Sequence, residues 1–270
     1  MANSVNTNMT ALVALRNLNV TNESLAKTQD RVSTGLKVIG AKDDASSFAI
    51  AQGIRADLKA YQAVDQALAN GKGIGDVAIA GATQISNLLT DMKKKAIEGM
   101  NSGNTASQQS ILAADFEAMK TQFATFVANA SYNGKNLLES GSTEATVIST
   151  IAGGTLTLSS QSSIGALTFG SIGTTSAATA ALADVNAAIT AVGTALGDLG
   201  SDVNALKFQQ DFNKTVADAV TEGLGSIVDA DLAEESAKLQ ALQVKQQLGV
   251  QALSIANSSP QILLSLFRGA

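Results

Sequence analysis

Two adjacent carboxylates, Asp43 and Asp44, follow Lys42 in the stretch "KDDASSFAIAQGIRADL", and a carboxylate pair beside a cation is a candidate for acid–base chemistry. A second acidic group, "DADLAEES" beginning at Asp229, collects four carboxylates that could hold a divalent cation. A third stretch, "NGKGIGD", sets Gly71, Gly73 and Gly75 around Lys72 in the manner of a phosphate-binding loop. Each has a plainer structural reading. Carboxylates in the first turn of a helix answer its open N–H groups and the positive end of its dipole, which suits Asp43 and Asp44 ahead of an Ala-rich run. Asp231 and Glu234 have capping-box spacing, and the glycine triplet lacks both a preceding strand and the Walker spacing.

The residues that are missing narrow the chemistry further. The 270-residue chain has no His and no Cys, which removes His-dependent triads, thiol nucleophiles, zinc sites of the Cys/His type and disulfides. No catalytic residue, cofactor site or metal site is therefore assigned, and the chain is not expected to be an enzyme. A net charge of −5 opposes general nucleic-acid binding, and Lys93, Lys94 and Lys95 read as a solvated helix face. No window is expected to span a membrane, and "MANSVNTNMTALVAL" lacks a basic stretch ahead of an apolar one, so secretion would use a route without a cleaved signal.

What must position these residues is a set of long helices. Apolar residues make up 45% of the chain but aromatics only 4%, so Ala-rich helices packed along a narrow Leu/Ile/Val stripe fit better than a thick core. In the first helix Leu15, Leu18, Leu25 and Val32 share a stripe with Asn22 and Gln29, while Val5, Met9 and Leu12 lie on another face. A second helical pattern starts near Asp44, with Gly35 and Gly40 permitting a loop before it. By local propensity it breaks at the glycine triplet, at about 1 kcal/mol per Gly relative to Ala. A third helix opens with a Thr105–Gln108 capping box and carries Leu112, Phe116, Met119, Phe123, Phe126 and Ala130, ending at the Asn133-Gly134 turn.

Residues 141–176 alternate as a β-hairpin around Gly153-Gly154. Then Leu182, Val185, Ile189, Val192, Leu196, Leu199, Val203 and Leu206 keep one 3–4 phase that returns at Val220, Leu224 and Ile227, predicting a helix of roughly 70 Å. The last helix shows Leu239, Leu242 and Leu253 on one face and Val244, Leu248 and Ile255 on another, and Ser259-Pro260 predicts a restart before "ILLSLF". The fold class is mainly α: an elongated antiparallel bundle or coiled coil of long helices with a small β-hairpin region. Two terminal helices, each apolar on two faces, would leave stripes open for association between copies, and contacts of that heterologous kind extend into a filament.

At this point the sequence resembles bacterial flagellin. The segments that carry the likeness are "LRNLNVTNESLAKTQDRVSTGLKVIGAKDDASSFAIAQGIRADL", "FATFVANASYNGKNLL" and "DADLAEESAKLQALQVKQQLGVQALSIANSSPQILLSLF". The resemblance implies three parts: residues 1–40 with 230–270 as a terminal coiled coil in the filament's inner tube, 41–140 with 177–229 as a long-helix bundle in the outer tube, and 141–176 as a short variable insertion. It also implies that the glycine triplet stays within, or only locally bends, a long helix, against the local reading.

By the same resemblance the protein is exported through the flagellar type III channel to an extracellular filament for swimming motility. Its partners would be further copies of itself, alone or with sister flagellins, the hook-filament junction and cap proteins, and an export chaperone on Leu263, Leu264, Leu266 and Phe267. No nucleic acid, membrane or small-molecule substrate is implied. The assembly residues would be Leu15, Leu18, Leu25, Val32, Leu239, Leu242, Leu248, Leu253 and Ile255, with Lys42, Asp43 and Asp44 at the junction between inner-tube and outer-tube helices. Where receptor-stimulating flagellins carry Leu-Gln-Arg-x-Arg-Glu-Leu, this chain has Leu89, Thr90, Asp91, Met92, Lys93, Lys94 and Lys95, so poor activation of that receptor is expected. The alternatives are a hook-filament junction protein of the same superfamily and a secreted helical adhesin or translocator that never polymerises.

Overall fold

The computed structural model describes residues 8–268, with side chains described for residues 8–258. The chain divides into two compact units: a terminal unit of residues 1–56 with 220–270, and a central unit of residues 57–219.

In the terminal unit, helix α1 (Met9–Thr34) packs antiparallel to helix α6 (Leu232–Arg268). Along the seam of α1 the covered positions Ala11, Ala14, Leu18, Thr21, Leu25, Thr28 and Val32 alternate steps of three and four, with Ser24 and Arg31 half-buried at the edge. On α6 Glu235, Leu239, Leu242, Gln246, Gly249, Leu253 and Ala256 follow the same rhythm, with Ser236 half-buried beside them. Such a 3–4 alternation keeps one seam facing the partner over the whole length. The predicted stripe of α1 is right at Leu18, Leu25 and Val32. It is wrong at Leu15, which is exposed while Ala14 takes the seam, and at Asn22 and Gln29, whose places fall to Thr21 and Thr28.

Helix α1 ends at Gly35, whose φ of 71° is the left-handed conformation that glycine adopts without penalty. The following segment pairs with residues 228–230: Lys37 N–H donates to Val228 O at 2.7 Å, and Ala230 N–H to Gly35 O at 2.9 Å. Helix α6 runs unbroken through Pro260, so the predicted restart is not present. Proline has no N–H, which leaves the carbonyl of Ala256 four residues back without its helical donor. The Asn8 side-chain amide donates to that oxygen at 2.7 Å, while the Asn8 side-chain carbonyl accepts from Ala11 N–H at 3.1 Å and caps α1.

Helix α2 (Ala45–Gly99) and helix α5 (Thr175–Val228) each contribute most of their length to the central unit. Between them in sequence come α3 (Ala106–Asn129), the hairpin β1–β2 (Ser131–Tyr132 and Lys135–Asn136), the hairpin β3–β4 (Ala145–Ile148 and Thr155–Leu158) and the single turn α4 (Ser162–Gly165). Thr105 and Gln108 form the expected reciprocal capping box of α3. Asn133 and Gly134, at φ of 51° and 76°, make the β1–β2 turn. The second hairpin is antiparallel, with Ala145 opposite Leu158 and Ile148 opposite Thr155.

The core combines Leu68, Ile85, Leu89 and Met92 of α2, Phe116 and Phe123 of α3, Leu158 of β4, and Val185, Val192, Leu199 and Leu206 of α5. The α5 stripe keeps the predicted phase, widened by buried Ala178, Ala181, Ala188 and Ala195. At 54 residues, α5 is about 81 Å long by the α-helical rise, longer than the sequence predicts. It also contains an 18-residue window with mean hydropathy of 1.3, long and apolar enough by composition to cross a bilayer, which the sequence reading did not anticipate. Of that window 28% is buried within the protein.

Helix α2 is continuous through Gly71, Gly73 and Gly75, which overturns the local expectation of a break. Other elements come close at each of the three glycines. A Cβ on Gly71 would lie 2.5 Å from Val147 Cγ2, one on Gly73 would lie 2.9 Å from the Tyr132 ring, and one on Gly75 would collide with Val203. The lost helix propensity is the consequence of letting both hairpins and α5 lie directly on the α2 backbone.

Candidate assembly surfaces

The carboxylates that first suggested chemistry are absorbed by the turn into α2. Asp44 caps that helix: its Oδ1 accepts from the N–H groups of Ser46 and Ser47 at 3.0 and 3.2 Å, and its Oδ2 accepts from the Ser47 hydroxyl at 2.6 Å. Asp43 points backwards. Its Oδ2 accepts from Ile39 and Gly40 N–H, and its Oδ1 meets Lys27 Nζ of α1 at 3.1 Å. The Lys27 ammonium holds the Asp43 carboxyl below its ordinary range, and the Ser47 hydroxyl does the same for Asp44. Neither carboxyl is moved toward the operating pH, where a general acid or base is most efficient. Lys42 is exposed beside them.

The acidic group at the start of α6 is likewise divided. Asp231 Oδ1 accepts from Ala233 N–H at 2.9 Å and from Glu234 N–H at 3.2 Å, capping the helix. Glu235 turns into the α1–α6 seam and meets Arg31 Nη1 at 2.9 Å. Arg31 Nε and Glu235 Oε2 are buried without a partner, so this pair joins the two helices through one hydrogen bond. Sequence reasoning missed it because only Glu235 falls on the phase of its seam; Arg31 precedes the seam position Val32 and reaches in from the edge, so the pair exists only once the two helices meet.

Pairing leaves apolar rows uncovered on both terminal helices. Met9, Leu12, Leu15 and Val20 of α1, and Val244, Leu248, Val250 and Ile255 of α6, are all between 43% and 70% exposed. Of the residues expected to assemble copies, Leu18, Leu25, Val32, Leu239, Leu242 and Leu253 lie in the seam of one chain, while Leu15, Leu248 and Ile255 face outward. Leu263, Leu264, Leu266 and Phe267 lie outside the described side chains. In the central unit Leu89 and Met92 are fully buried, Thr90, Asp91 and Lys94 are exposed, and Lys95 bridges Asp115 at 3.1 Å and Glu98 at 3.5 Å. Asp115 raises the Lys95 pKa above its ordinary value.

A polymer-forming helical family would present such outward rows, and comparison with known proteins decides which. The bacterial flagellin N-terminal helical region matches residues 5–143, and the bacterial flagellin C-terminal helical region matches residues 182–267. The chain belongs to the flagellin family. It is similar to flagellin FljK of Caulobacter vibrioides, 37% identical over 98% of this chain and 99% of that one. It is similar to a flagellin of Brucella melitensis, 36% identical over 98% and 99%. The fold resembles the crystal structure of Bacillus cereus flagellin with a TM-score of 0.51, at 19% identity over 54% of this chain and 88% of that one. This flagellin is thus a structural protein, a self-polymerising subunit of the extracellular flagellar filament that serves motility.

Proposed function

We propose that this flagellin enters its filament through the terminal unit, with residues 1–40 and 230–270 lining the inner tube, 41–140 with 177–229 forming the outer tube, and 141–176 presented as a variable insertion. The observation that carries the reading is the pair of outward apolar rows on α1 and α6. Both rows stay wet after the helices have paired, and large apolar side chains repeated along a helix are partner surfaces more often than solvent surfaces. Unlike patches on the two helices can meet head to tail, a heterologous contact that propagates where its rotation does not close.

In this account Asp43 and Asp44 fix the turn that hands the chain from α1 to α2, and the apolar residues Leu263, Leu264, Leu266 and Phe267 bind an export chaperone before polymerisation. The filament ends meet the hook-filament junction protein and the cap protein. The test is seeded polymerisation of a Leu248→Lys, Ile255→Lys variant. Both positions are exposed and lysine is a good helix former, so helicity by circular dichroism should equal the parent's while filament elongation is lost. Elongation at the parent's rate would remove the α6 row from the assembly surface.

A further inference from the structure

Arg31 and Glu235 are a poor choice for stability alone. Their side chains are 20% and 9% exposed, one hydrogen bond of 2.9 Å links them, and Arg31 Nε and Glu235 Oε2 are buried without partners. An ion pair taken out of water and left half-bonded stabilises no better than an apolar pair of similar volume.

The middle of the α1–α6 seam does not fix its own register. A Cβ on Gly249 would lie 3.1 Å from Leu18 Cδ1, which sets those two residues opposite one another. Counted from there along the antiparallel 3–4 rhythm, Thr21 is level with Gln246, Leu25 with Leu242 and Thr28 with Leu239. Helix α1 repeats itself, however, for Leu18 and Thr21 recur seven residues on as Leu25 and Thr28. A slip of one heptad in one direction puts Leu25 over Gly249 and Thr28 at Gln246, and Gln29 takes the place from which Asn22 accepts from Gln246. The opposite slip sets Leu18 against Leu242 and Thr21 against Leu239. Both reproduce the observed contacts in kind. The registers differ at the ends: the first slip carries Arg31 away from Glu235 and brings Leu15 in place of Asn8 to the Ala256 carbonyl. The second lays Leu25 over Glu235 with Ser24 standing where Arg31 stood, leaving a covered carboxylate without its cation.

We infer that the Arg31–Glu235 pair selects the register in which α1 meets α6, and with it the offset between the two outward rows. One heptad displaces those rows by about 10 Å, so a slipped copy presents a surface that its neighbours do not match. Backbone bonds between residues 35–37 and 228–230 favour the same end, and the pair adds side-chain discrimination within the helices themselves. Fixing register is the best-attested use of a polar contact inside a helical seam. The inference rests on the reading that the outward rows assemble copies.

The test replaces the pair by an apolar one, Arg31→Met with Glu235→Leu. The chain contains no cysteine, so spin labels on Asn17→Cys and Ala233→Cys report the register of unpolymerised chains by pulsed electron paramagnetic resonance. The parent should give one distance, and the apolar variant a second about 10 Å from it. That variant should resist urea at least as well as the parent yet elongate several-fold more slowly on seed filaments. The exchanged pair, Arg31→Glu with Glu235→Arg, should recover the single distance and the faster elongation. A single parent-like distance in the apolar variant refutes the register role whatever its elongation rate, and a loss of helicity or urea resistance makes the pair a stability contact and overturns it too. A second distance with unchanged elongation would leave register selection standing and overturn instead the reading that the rows assemble copies.

Discussion

Replacing Gly75 with alanine is expected to destabilise the central unit, whereas the same replacement at Gly197 is expected to stabilise it. Both residues are inside long helices, so each variant gains about 1 kcal/mol of helix propensity. At Gly197 nothing lies within 4 Å of the new methyl group, and the gain stands. At Gly75 the methyl would collide with Val203 and lie 2.9 Å from Leu158 Cδ2, two core side chains. Overpacking of this kind costs about 1–3 kcal/mol, leaving a net change between zero and a loss of about 2. Because the propensity gain is common to both, the difference between the two variants measures the overpacking directly, at about 1–3 kcal/mol. Urea unfolding of the monomer followed by circular dichroism, with the denaturant slope unchanged, gives that difference. A Gly75→Ala chain as stable as Gly197→Ala would refute the claim that the glycine exists to admit α5 and the second hairpin.

Three further outcomes follow from particular contacts. Asn8→Asp keeps the cap acceptor but loses the donor to Ala256 O, so it should destabilise the α1–α6 pair by about 1 kcal/mol more with Pro260 present than in a Pro260→Ala background. Equal effects in a double-mutant cycle would dissociate Asn8 from the proline gap. Asp43 and Asp44 have folded pKa values below the ordinary 3.8; their contribution is therefore present above that value and lost as pH falls through the lower folded one. Hydrogen exchange at Ile39, Gly40, Ser46 and Ser47 should show protection down to about pH 4 and loss below it, and loss already at pH 5 would contradict the bonding described. In a cell reporter assay the chain should activate the innate flagellin receptor poorly, given exposed Asp91 and a Lys95 held by Asp115 and Glu98; strong activation would refute this.

The long helices were legible because heptad spacing survives averaging over many turns, as the α5 stripe and the Leu239–Leu242–Leu253 face of α6 show. Phase was harder where small or polar residues carry the seam. On α1 the choice of Leu15 over Ala14 followed size, while the structure chose Ala14, Thr21 and Thr28, which let the helices approach closely. The glycine triplet and Pro260 misled for one reason: propensity describes a helix alone, whereas Val147, Tyr132, Val203 and Asn8 act from elsewhere in the chain. The capping roles of Asp44, Asp231 and Thr105 were readable because they are local. Asp43–Lys27 and Arg31–Glu235 were not, since each depends on which face of a helix another element covers.

The central claim, that the terminal unit drives self-assembly, is tested most directly by adding seed filaments to purified full-length chain and to a chain lacking residues 1–30, then examining both by electron microscopy. Filaments from the full-length chain and only soluble monomer from the truncated one are expected, because α6 then lacks its seam partner along with the α1 row. Filaments of equal length and number from both chains would contradict it.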